Sequence, residues 1–312
     1  MKYMKLGNSD LNISRIILGT WAIGGSNWGK YDENDAINAI ESALDNGINT
    51  IDTAPAYGDG HAESLIGKII KNKREEVIIA TKCGLNIDDK YKKNLSPDFI
   101  EYELAQSLKR LQTDYIDLYQ CHWPDPNIPI EDTMKALLKH QDEGKIRYIG
   151  ISNFSDKEIE ESLKYATITT LQSQYSLLER SIEENIKGIC IDNNIGIITY
   201  GSIGGGMLTG KYKELPKFGI TDARSFFYKY FQKKYWDGVK ALVDKMDEMA
   251  EEKGIKPSNL AISWLLSQEG VASTIVGARN RKQVLENMKG TEFTLSEKDM
   301  DILNTLSKSV YQ

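Results

Sequence analysis

Eight short apolar runs, separated by stretches of helical period, constrain this chain more than any other feature. They occupy residues 16–19, 49–52, 77–81, 115–120, 146–152, 170–174, 196–200 and 272–277. Several, such as Ile16-Ile17-Leu18-Gly19 and Val77-Ile78-Ile79-Ala80-Thr81, are continuously apolar rather than alternating, which marks strands of a parallel sheet buried on both faces. Between them, 33–45, 61–71, 97–111, 130–143, 156–165 and 181–193 repeat apolar residues at helical spacing. Asp32, Ser96 before Pro97, and Ser155 stand as N-caps, and Gly47 and Gly144 stand where a left-handed residue would stop a helix. Eight βα units close into a (β/α)₈ TIM barrel, and 312 residues suit one. An open doubly wound sheet is the competing arrangement. No linker-like composition divides the chain, so residues 1–312 read as a single domain. Ahead of the first unit, 3–6 and 11–14 flank the polar turn Gly7-Asn8-Ser9-Asp10 as an N-terminal β-hairpin.

In a parallel barrel the ligand site lies where the strands end. The second run ends at Asp52 and releases Tyr57 in the following turn. The third ends just before Lys82, and the fourth just before Cys121-His122. Four polar groups therefore converge on one mouth. A phenol has a pKa of about 10 and donates a proton more readily than it loses one. The Lys82 ammonium should draw that value toward the working range, with Asp52 holding Lys82 in place. Neutral His122 can orient a substrate oxygen. Together these form a proton-donating site for a carbonyl that receives a hydride. The longest loops, 21–31, 84–96, 123–129 and 201–235, all follow strands and should gather at the same mouth.

Several apparent motifs fail on their chemistry. Residues 205–211 space their glycines and lysine like a phosphate-binding P-loop, but Tyr212 takes the place of the magnesium-binding hydroxyl. Gly58-Asp59-Gly60 meets Glu63 where a dinucleotide fingerprint needs glycine. Cys121 and His122 point to opposite sides of an extended chain, so no metal site is expected there. His61 and His140 read as surface or cap residues, and Cys83 and Cys190 as packing thiols. A net charge of −6 without a basic stripe argues against nucleic acid and anionic membranes. No apolar run is long enough to span a bilayer, Met1 to Asp10 lacks a signal-peptide core, and three scattered cysteines suit reduced thiols. A cytoplasmic protein, monomeric or weakly homo-oligomeric, is the expectation.

Along its whole length the sequence resembles the aldo-keto reductase superfamily. The likeness rests on Asp52-Thr53-Ala54-Pro55-Ala56-Tyr57-Gly58, Ala80-Thr81-Lys82, Leu118-Tyr119-Gln120-Cys121-His122-Trp123-Pro124, Gly150-Ile151-Ser152-Asn153-Phe154, Gln172-Ser173-Gln174-Tyr175-Ser176 and Val276-Gly277-Ala278-Arg279-Asn280. Gly19-Thr20-Trp21-Ala22-Ile23-Gly24-Gly25 and the glycine-rich 205–211 are most similar to a bacterial general-stress and inositol-operon branch, related to potassium-channel β-subunits. The resemblance implies reversible hydride transfer between NADP(H), preferred over NAD(H), and a small carbonyl or alcohol, an aldehyde reductase chemistry. It assigns Tyr57 as general acid, Lys82 and Asp52 as its tuning pair, and His122 as the orienting group. Ser152, Asn153 and Gln174 would hold the carboxamide, with Tyr200 stacked on the ring and Thr20 and Trp21 close by. The backbone of Gly201, Ser202, Ile203, Gly204, Gly205 and Gly206 could approach the pyrophosphate. Lys211, Arg224 and Arg279 would meet phosphates, near Gly277, and Gln283 and Asn287 the adenine. Only a short tail follows Asn287, so substrate contacts fall to 21–28 (Trp28 included), 84–91, Trp123 and 226–231, beside Tyr57 and His122. A regulatory, partner-binding role of the channel-subunit kind is the other implication; an intact Asp52, Tyr57, Lys82 and His122 favours catalysis.

Overall fold

A computed structural model describes residues 1–25, 28, 31–220 and 222–311. Part of the 21–31 loop therefore lies outside the described residues. A hairpin, β1 (Tyr3–Lys5) against β2 (Asn12–Ser14), precedes the barrel. The barrel strands are β3 (Ile16–Gly19), β4 (Thr50–Asp52), β5 (Ile78–Cys83), β8 (Ile116–Cys121), β9 (Ile146–Ser152), β10 (Thr170–Gln174), β11 (Gly196–Tyr200) and β12 (Val271–Gly277). All are parallel, and the sheet closes in the order β10-β11-β12-β3-β4-β5-β8-β9. The open-sheet arrangement is thereby excluded. Between β5 and β8 a two-stranded ribbon, β6 (Leu85–Asn86) and β7 (Lys92–Lys93), rises above the rim.

Each strand buries one face inside the barrel and the other against helices α1 (Glu33–Asp45), α2 (His61–Ile70), α3 (Pro97–Leu111), α4 (Ile130–Asp142), α5 (Asp156–Leu163) and α6 (Ile186–Asp192). After β11 come a one-turn α7 (Ala223–Phe226), then α8 (Trp236–Glu252) and α9 (Pro257–Leu266), with α10 (Arg281–Met288) and α11 (Glu297–Ser309) last. Asp32 accepts from the Asp35 N–H, and Ser155 forms a reciprocal capping box with Glu158. Ser96 makes no cap bond, so Pro97 starts α3 through its fixed φ alone. The segment 181–193 is broken: a short 3₁₀ turn ends before Asn185, whose φ of −135° is not helical, and α6 begins after it. His140 is buried on α4 with Nδ1 3.2 Å from Glu143, not at the surface as its sequence suggested.

The barrel interior is closed at one end by the hairpin. Leu6, Leu11 and Ile13 are buried against Ile17, Leu118, Ile198 and Ala272. Ser273 donates to the Ser14 carbonyl at 2.8 Å, pinning β2 under β12. With that end sealed by apolar side chains, the strands' C-terminal ends are left to form a site. Among the described residues, no helix is long and apolar enough to cross a membrane.

Candidate active site

Asp52 ends β4, and Lys82 is the penultimate residue of the neighbouring β5. Lys82 is fully buried. Its ammonium donates to Asp52 Oδ1 at 2.8 Å and Oδ2 at 3.0 Å, to the Thr53 carbonyl at 2.9 Å, and to Tyr57 Oη at 3.2 Å. The turn carrying Tyr57 is set by two glycines. A Cβ on Gly24 or Gly58 would strike the other's backbone, and Gly58 has a φ of +65° that side chains resist. Behind Tyr57 the Trp21 ring stacks at 6.1 Å. The His122 ring stands 6.1 Å away, edge-on, and its backbone N–H donates to the Cys83 carbonyl.

The electrostatics correct one expectation. Lys82 does not draw the phenol downward: burial, then the Asp52 charge, holds Tyr57 well above its usual value. The ammonium is shared with two carboxylate oxygens, so the pair offers Tyr57 little net positive charge. Burial also lowers Lys82, against the pull of Asp52. His122 is pushed well below its usual value by burial and by Lys82, which keeps the imidazole neutral.

Above these groups opens a cavity of about 1190 Å³. Thr20, Trp21, Asp52, Tyr57, His122, Ser152, Asn153, Tyr200, Gly201, Ser202, Ile203, Gly205, Gly206, Lys211, Arg224, Gly277, Arg279, Gln283 and Asn287 all line it, and so do Trp28 and Trp123. Two of the residues expected to hold the cofactor do not. Gln174 ends β10 packed against Gly201, and Gln172, in register with Ser152, takes its place. Gly204 turns inward toward Leu178 and Leu208. Thr209, Lys256, Ser258 and Lys282 line the wall without having been expected. Lys256 and Ser258 belong to the start of α9, which the strand-end rule does not reach. Gln172 was open to detection, because it shares a strand face with Gln174.

A flat amide ligand fits this wall. Gln172 Nε2 spends its protons on Asp52 Oδ2 at 2.6 Å and Gln120 Oε1 at 3.4 Å, leaving its carbonyl oxygen to accept. Asn153 Nδ2 donates to Ser152 Oγ and the His122 carbonyl, and its Oδ1 accepts from Tyr200 Oη at 2.7 Å. The Ser152 proton is left free to donate. One donor and two acceptors therefore face outward, the complement of a carboxamide. Glycines at φ +68° (Gly201), +58° (Gly205) and +93° (Gly206) then line a cradle, and a Cβ at Gly206 would meet Lys211 Nζ. A diphosphate suits glycine backbone beside that ammonium. Arg224 is tied to Asp222 and Tyr212. The far end carries Lys256, Arg279 and Lys282 against one carboxylate, Glu286, which is 3.5 Å from Lys289. The donor set and the cradle fit a nicotinamide dinucleotide.

Comparison with known proteins agrees with this geometry. The family model described as the aldo/keto reductase family matches residues 15–308. The aldo-keto reductase YhdN of Bacillus subtilis (strain 168) is 42% identical over 98% of this chain and 93% of its own length. An NADH-specific methylglyoxal reductase of Escherichia coli (strain K12) is 35% identical over 99% of each chain. The solved glycerol dehydrogenase of Gluconobacter oxydans superposes with a TM-score of 0.91 at 34% identity, covering 100% of this chain and 97% of that one.

Proposed function

Because the chain belongs to the aldo/keto reductase family of nicotinamide-dependent carbonyl and alcohol oxidoreductases, we propose that it reduces small aldehydes or ketones reversibly with Tyr57 as general acid, using NADP(H) in preference to NAD(H). The observation that carries this is the buried Asp52–Lys82–Tyr57 chain opening beside a neutral His122. The bound dinucleotide supplies or takes the hydride. Tyr57 keeps its proton at neutral pH and delivers it to the carbonyl oxygen as negative charge builds there. His122 donates a hydrogen bond to the same oxygen and so fixes the carbonyl's orientation. Lys82, 3.2 Å from Tyr57 Oη, steadies the phenolate left behind, and Asp52 holds the ammonium in place. In the oxidative direction the phenolate takes the alcohol's proton.

Support for NADP(H) comes from Lys256, Arg279 and Lys282 at the adenosine end, a cation excess suited to an extra phosphate. A relative in Escherichia coli is named for NADH, so the cofactor preference takes a test of its own. The direct test is Tyr57→Phe. It removes the oxygen assigned to give up the proton while keeping the ring, so turnover of 4-nitrobenzaldehyde should fall by about 10²–10⁴. NADPH should still quench the protein's fluorescence. A variant retaining the wild-type rate would sink the proposal.

A further inference from the structure

We propose that Lys93 selects carbonyl substrates bearing an anionic group, a carboxylate or a phosphate, on the side of the carbonyl away from the cofactor; this rests on the reductase reading above. The charged residues on the cavity wall divide by position. Lys211, Arg224, Lys256, Arg279, Lys282 and Glu286 belong to the glycine cradle and the adenosine end, and Asp52 is spent on Lys82. At the other end the wall is aromatic, with Trp21, Trp123 and Phe227, and Lys93 stands in it; Trp28 joins the two ends, its ring 5.6 Å from the Arg224 guanidinium and its carbonyl accepting from Arg279.

Its position is built rather than incidental. Lys93 ends the β6–β7 ribbon opposite Leu85, which lines the cavity too. The ribbon is fastened at its base: the Gly84 N–H donates to Glu103 at 2.5 Å, Asn94 N–H to the Gly84 carbonyl at 3.1 Å, and Leu95 N–H to Asp125 at 3.2 Å. At its tip Tyr91 Oη donates to Asp59 at 2.7 Å. The Lys93 ammonium sits 5.5 Å from the centre of the Trp123 ring, and Trp123 directly follows His122.

Among the described residues Lys93 makes no ion pair, whereas its neighbour Lys92 pairs with Asp89 at 2.8 Å. Asp59 accepts from Tyr91, Asp125 from Leu95 and Asn127, and Glu103 from Gly84, and none of the three forms an ion pair with Lys93. An unpaired cation at the rim of an apolar wall focuses its field into the cleft. A substrate whose carbonyl lies between Tyr57 and His122, and whose body runs along Trp123, brings its far end to this ammonium.

The test compares 4-carboxybenzaldehyde with its neutral methyl ester, methyl 4-formylbenzoate, with NADPH and with NADH. The wild type should favour the acid in kcat/KM by about three- to tenfold, an advantage that shrinks with added salt. Lys93→Met should erase that preference by raising KM for the acid alone, and Lys93→Arg should keep it. A wild type that does not discriminate, or a Lys93→Met variant that weakens both substrates equally, overturns the role of Lys93 while leaving the reductase reading intact. No turnover of either aldehyde with either cofactor overturns both.

Discussion

Lys82 holds an ammonium out of contact with water, and it tolerates this because four oxygens surround it. Removing one partner of such a pair leaves a bare buried charge, which costs more than the pair itself contributes. Asp52→Ala should therefore lose about 3–5 kcal/mol in urea unfolding. Asp52→Ala with Lys82→Met should recover much of that, because no unmatched charge then remains. A double variant as unstable as the sum of the singles would show that the two residues are not coupled. The residue types were legible because each stands at or near the C-terminal end of a strand or in the turn that follows it. The electrostatics were not: burial outweighs the neighbouring ammonium at Tyr57, and burial is a property of the fold.

Glu103 anchors the β6–β7 ribbon from α3, and its surroundings make the anchor sensitive to pH. Burial raises its carboxyl from 4.5 to about 8, with the Gly84 N–H opposing and the Glu63 charge adding. Between those values the folded protein holds a proton that the unfolded chain has released, so the unfolded state binds fewer protons and stability falls as pH rises. Glu103→Gln keeps an acceptor for Gly84 without the titration. Its melting temperature should fall less than the wild type's across that window, and parallel curves would refute the anchor's titration. At this scale the sequence located strands well, since continuous apolar runs have few other homes. It misjudged 181–193, where a non-helical Asn185 splits one apparent helix in two. It also left the ribbon as part of a loop, because two-residue strands carry no period.

Across the whole molecule, closure places residues from β3, β9, β10, β11 and β12 around one cavity, so a bound dinucleotide would tie both halves of the barrel together. A ligand at 100 times its Kd stabilises by about 2.7 kcal/mol. If the adenosine-end cations read a phosphate, NADPH should raise the melting temperature several degrees more than equimolar NADH, and Arg279→Ala should narrow the gap. Equal shifts in the wild type would remove the case for NADP(H).

The alternation of apolar runs and helical stretches determined a parallel sheet covered by helices and pointed to the barrel, while its closure rather than an open doubly wound sheet was decided by the tertiary structure. The same runs pointed to the strands' C-terminal mouth and to the four side chains that the structure brings together there. Depth along a strand was decided only in three dimensions: Gln172 rather than Gln174 reaches the cavity because register and stagger, not face, set height above the floor. Lys256 at the cofactor end and Lys93 at the substrate end were likewise placed by the packing of α9 and of the ribbon, contacts between segments far apart in the chain that no local pattern encodes.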